Sequence, residues 1–101
     1  MKKFLFVVYG PSADSDAERS AGMAEMAEWY GSLGHALIDP GGPFVAATTV
    51  SAAGIGDPIG PNATGYNFVQ ADSLEAAVAL AQGCPLLKHG RSVSVFETLP
   101  T

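Results

Sequence analysis

The stretch Gly65-Tyr66-Asn67-Phe68-Val69-Gln70, followed by Asp72-Ser73-Leu74-Glu75-Ala76-Ala77-Val78-Ala79-Leu80-Ala81 and then Gly83-Cys84-Pro85, decides the fold. It reads as a strand, a helix and a stop. Asp72 followed three residues later by Glu75 has the spacing of a capping box, in which each side chain satisfies an otherwise orphaned first-turn amide. Gly83 supplies a left-handed residue to end the helix, and Pro85 blocks its resumption. A second strand, Ser92-Val93-Ser94-Val95-Phe96, follows. The unit is therefore strand, helix, strand.

The first half of the chain repeats that order without repeating the sequence. Phe4-Leu5-Phe6-Val7-Val8-Tyr9 is apolar at every position, so it predicts a strand covered on both faces. Gly10-Pro11 ends it. Ser15 to Glu18 has the S-x-x-E pattern of a helix start, and Met23, Met26, Ala27, Tyr30 and Leu33 recur at helical spacing. A helix over 16–33, closed by Gly34, is the expectation. His35-Ala36-Leu37-Ile38 reads as a short second strand entering the turn Asp39-Pro40-Gly41-Gly42-Pro43. Phe44 to Val50 reads as extended, and Ser51 to Thr64, with three glycines and two prolines, as a long loop with an interface or functional role.

Two strand-helix-strand units in sequence predict an α+β domain of the ferredoxin-like βαββαβ kind, with an antiparallel sheet and its helices on one face. The second helix offers Leu74, Ala77, Val78 and Ala81 to that sheet, its alanines permitting close approach. The opposite face, built from alternate residues of 4–9 and 66–69, has no cover within the chain. A partner sheet would supply it, which predicts a homodimer packed sheet to sheet.

Composition narrows the function classes. The 101 residues form one domain, 1–101, with 48% hydrophobic and 15% charged residues, too apolar for disorder. Ten acidic residues against five basic ones, a net charge of −5, repel phosphate backbones, which argues against nucleic-acid binding. One cysteine cannot close an intrachain disulfide. The apolar run after Met1-Lys2-Lys3 is too short for export or a membrane span, so the expectation is a cytoplasmic protein with no membrane contact.

These residues resemble the YCII-related family, in its DGPF branch, whose members are small dimeric α+β barrel proteins. The resemblance is carried by 4–10, Gly65-Tyr66-Asn67-Phe68, the segment 72–77, Gly83-Cys84-Pro85 and Ser92-Val93-Ser94-Val95. It implies a pocket between the sheet and the first helix. In such proteins a helix histidine paired with an aspartate is thought to act there, and the matching position here is Met23. The branch's Asp-Gly-Pro-Phe motif is divided between Gly56-Asp57-Pro58-Ile59 and Gly42-Pro43-Phe44.

Chemistry-bearing residues are few. His35 and His89, far apart in sequence, are the candidates for general acid or base. No Cys or His pair has metal-ligand spacing, so no metal and no cofactor is expected. Lys88-His89-Gly90-Arg91 gathers two of the five cations and can hold a carboxylate or phosphate. Asp39 is about 13 Å from His35 along a regular strand, too far for a hydrogen bond. Cys84, beside a helix end, reads as a buried thiol. Tyr9, Tyr30 and Tyr66, with Met23, His35, Lys88, His89 and Arg91, form the expected ligand-binding set, and Trp29 is a further candidate for the pocket lining. Three functions remain open: a binder of a small organic molecule, an enzyme using His35 or His89, and a structural interaction module.

Overall fold

The computed structural model describes residues 1–100. Its order is β1 (Lys2–Tyr9), α1 (Asp16–Leu33), β2 (Leu37–Pro43), β3 (Thr49–Ser51), β4 (Gly54–Gly56), β5 (Ala63–Ala71), α2 (Leu74–Ala81) and β6 (Ser92–Glu97). Four strands form one antiparallel sheet in the order β2-β5-β1-β6, and β3 and β4 form a separate hairpin. The two strand-helix-strand units are thus interleaved, each placing one strand at the centre and one at an edge.

Period-two alternation sorts the strand residues. Phe4, Phe6 and Val8 of β1 are buried, and β5 presents Val69 opposite Phe4 and Asn67 opposite Phe6. This face carries the core, completed by Trp29 of α1, Ala77 and Ala81 of α2, and Cys84 and Leu86. The Trp29 ring stacks on Phe6, with centroids 6.4 Å apart and planes 16° apart. That one indole joins α1 to the middle of the sheet.

The helix face differs from the expected one by about a residue. Gly22, Met26, Trp29 and Leu33 turn toward the sheet, whereas Met23 is 60% exposed and Ala27 is also exposed. The bulk of Trp29 decides the rotation, since burying an indole removes more apolar surface from water than burying a methionine and an alanine at the margin. The start of α1 is as expected: the Glu18 N–H donates to Ser15 Oγ at 3.1 Å. The Glu18 carboxylate returns to the Asp14 N–H, at 2.7 Å, rather than to Ser15 itself.

Other expectations are corrected. Ser73, not Asp72, caps α2: Ser73 is extended, and its Oγ accepts the Ala76 N–H at 3.1 Å. Because β5 continues to Ala71, the helix begins one residue later and Glu75 lies too early to close a capping box. Gly83 does not adopt a left-handed conformation. It sits in a tight place instead: a Cβ there would stand 3.2 Å from Trp29 Nε1 and 3.4 Å from the Leu80 carbonyl oxygen, so the indole would have to give by a few tenths of an ångström. Pro85 opens a 3₁₀ turn, Pro85–His89, closed by Gly90.

His35 lies in a 3₁₀ turn, Gly34–Ala36, and not in a strand. The residues 39–43, read as a turn, belong to β2 as an irregular edge strand. Asp39 pairs with Phe68 and Gly42 with Tyr66, so Pro40 and Gly41 bulge opposite Asn67. An edge tolerates prolines because one side of the strand makes no ladder bonds. Gly41, at φ +62°, admits no side chain, since a Cβ would meet the Tyr66 carbonyl. Of Phe44 to Val50 only Thr49 and Val50 are in a strand, and the 51–64 loop contains β4 and the start of β5.

Candidate functional site

A half-buried carboxylate organises the only cluster of opposite charges that joins two elements across the core side of the fold among the described residues. Glu25 lies on the inner margin of α1, three residues after Gly22 and four before Trp29, with its side chain 26% exposed. His89 Nε2 is 3.0 Å from Glu25 Oε1, and Lys88 Nζ is 2.5 Å from Glu25 Oε2. Both partners come from the end of the 3₁₀ turn after α2, Pro85–His89, which packs against α1. Lys88 first and then His89 hold the Glu25 carboxyl below its usual range, and partial desolvation opposes them.

Beside this cluster an open groove of about 380 Å³ runs between α1 and the segment after α2. Glu25, Glu28, Trp29 and Ser32 line one wall, and Gly83, Pro85 and Lys88 the other. The missing side chain at Gly83 leaves the indole edge of Trp29 in the floor. A second groove of about 360 Å³, between α2 and β6, is lined mainly by Leu74, Val78, Leu87, Val93 and Val95. The space directly between α1 and the sheet is filled by the Phe6 and Trp29 stack.

The expected ligand-binding residues fall in separate places. Lys88 and His89 meet at Glu25. Arg91 turns away, its Nε donating to the Pro11 carbonyl oxygen at 3.0 Å. His35 is exposed, and its carbonyl accepts from Gln70 Nε2 at 2.8 Å, so its backbone ties the α1–β2 corner to the sheet. The Asp39 carboxylate accepts the Gly41 N–H at 2.9 Å and shapes the bulge. Tyr30 leans on Trp29 with centroids 5.6 Å apart, and burial, then Cys84, raises its pKa. Burial likewise pushes the Cys84 thiol up, which agrees with an inert core cysteine.

Tyr9 and Tyr66 belong to the opposite face of the sheet. There Leu5 pairs with Phe68 and Phe96, and Val7 with Tyr66 and Ser94. Phe44 stacks on Tyr66 at 5.6 Å, Tyr66 meets Phe68 edge-on at 6.0 Å, and the Lys3 ammonium lies 4.4 Å over Phe68. No helix covers these rings.

Glu25, Glu28 and Ser32 are absent from the expected set. Glu25 shares a helix face with Gly22, Met26 and Trp29, and only the rotation of α1 set by Trp29 brings it to the inner margin, where a carboxylate needs a partner. Asn67 is also new: it is 1% exposed in the core, and its Nδ2 has no hydrogen-bond partner. Among the described residues no group of three or more His, Cys, Asp or Glu is placed to hold a metal ion, and no helix is long and apolar enough to cross a membrane. Comparison with family models, with curated proteins and with solved structures finds no match to this chain.

Proposed function

We propose that this chain is a ferredoxin-like domain of the YCII-related, DGPF-like kind that pairs with a second copy into a dimeric α+β barrel and binds a small organic molecule beside α1. The observation that carries the binding reading is the groove over Trp29 with Glu25, Lys88 and His89 at its polar margin. An aromatic floor with a few convergent polar groups is what a small ligand needs for both affinity and orientation. Lys88 suits a ligand carboxylate or phosphate, and Glu28, free of the cluster, suits a donor group.

Support for the dimer comes from the uncovered sheet face and from total surface. The chain exposes 6619 Å², against about 5,400 Å² for a compact chain of its mass. Its radius of gyration is 14.5 Å, where about 13 Å is usual for this length. Sheet-to-sheet pairing covers the rings of Tyr66, Phe68 and Phe96.

A second reading, acid or base catalysis, is favoured by the contact between Glu25 and His89. A carboxylate accepting from Nε2 fixes the ring's orientation and leaves Nδ1 to exchange a proton with a substrate. A fragment titration followed by NMR tests both readings. The chain has one tryptophan, so a groove ligand is expected to shift the Trp29 indole N–H and the Lys88 and His89 signals. If no fragment moves them, the binding reading fails and the interaction-module reading replaces it. Turnover of a bound fragment that is lost in His89→Gln would favour the enzyme.

A further inference from the structure

We propose that the hairpin β3–β4 and its flanks form an arm that each protomer lays against its partner, so that Val50, Ile55 and Ile59 are covered only in the dimer. The inference deepens the dimer reading above and rests on it.

Within one chain the arm is held only at its base, where the Gly10 N–H donates to the Asn62 carbonyl oxygen and Asn62 Nδ2 donates to the Gly10 carbonyl oxygen, each at 2.9 Å. Every residue from Val50 to Asn62 is exposed, with Val50 at 74%, Ile55 at 80% and Ile59 at 83%. Three residues per strand, paired Thr49 to Gly56, Val50 to Ile55 and Ser51 to Gly54, with Thr48 Oγ1 donating to the Gly56 carbonyl oxygen, are too few for a hairpin that stands alone in water. Its composition is not that of a solvated loop. Between Pro43 and Thr64 the only charged residue is Asp57.

Three observations select a second copy as the occupant. The arm leaves the body at Phe44, whose ring is stacked on Tyr66 of the uncovered sheet face, so arm and face are one continuous surface. The chain's surface exceeds that of a compact monomer by roughly 1,200 Å², more than the ~800 Å² per partner of a standard interface. A net charge of −5 and an arm without cations disfavour anionic lipid or nucleic acid as the cover. In a two-fold dimer both arms engage together, which places two such contacts in each assembly.

The test uses the full chain and the triple variant Val50→Ser, Ile55→Ser, Ile59→Ser, whose positions are exposed in the single chain and leave its core intact. Sedimentation equilibrium is expected to show a wild-type dimer whose dissociation constant rises at least tenfold in the variant. A smaller rise, with the wild type dimeric, overturns the arm and leaves the sheet-face dimer standing. A wild type that sediments as a monomer at 100 µM instead removes the dimer reading itself, and the arm with it. In a mixed dimer of labelled and unlabelled chains, isotope-filtered NOEs from the Ile55 and Ile59 methyls should reach the partner. NOEs only to the arm's own sheet would show that it folds back, and would overturn the proposal.

Discussion

Glu25 and His89, sixty-four residues apart in sequence, meet with 3.0 Å between Oε1 and Nε2. The contact joins the middle of α1 to the turn that follows α2, and Lys88 doubles it. Its effect on stability depends on pH. The folded carboxyl titrates below its unfolded value, near 4.5, so its contribution is complete above that value and is lost as pH falls through the lower, folded one. Glu25→Gln is therefore expected to be less stable than wild type at neutral pH, with the gap closing in acid. Urea denaturation across pH 2.5–7 measures it; a pH-independent gap would mean that Lys88 and His89 do not hold Glu25.

The cap of α2 is tested by comparing neighbours. Ser73→Ala removes the acceptor for the Ala76 N–H and is expected to cost about 0.5–2 kcal/mol. Asp72→Ala, at an exposed bend before the cap, should be near neutral. Equal losses would place the helix start one residue earlier.

Two glycines make opposite predictions for the same substitution. Gly31 lies inside α1 with nothing within 4 Å of a new Cβ, so Gly31→Ala should stabilise by roughly 0.5–1 kcal/mol through helix propensity. At Gly83 the new methyl meets Trp29, which is itself held by Phe6 and Tyr30. Gly83→Ala should cost about 1–3 kcal/mol, as overpacking does. Thermal melts distinguish the two, and the Gly83→Ala protein should also show altered Trp29 fluorescence.

Asn67 occupies the core position opposite Phe6 with an unpartnered Nδ2. Leaving a buried donor unpaired costs about 1–3 kcal/mol, and an apolar residue of similar shape avoids that cost. Asn67→Leu should therefore raise stability by about 1 kcal/mol. A clear loss would show that the amide is paired in solution and serves the fold.

The α+β class and the order of the two helices and the four sheet strands were readable from local chemistry, whereas the β3–β4 hairpin was not. The Ser15-x-x-Glu18 pattern and Gly34 bounded α1 to the residue, and the apolar run 4–9 located the central strand, because caps and strand periodicity depend on residues within a few positions of one another. Tertiary packing decided what local chemistry left open. The rotation of α1 follows from burying Trp29 against Phe6, the tight fit at Gly83 from the indole beside it, and the bulge at 40–41 from pairing β2 with β5. The candidate site belongs to this second kind. Glu25 reads in sequence as one more surface acid, and Lys88 and His89 as a basic loop, because a charge pair between α1 and the turn after α2 exists only once the sheet has brought those elements together.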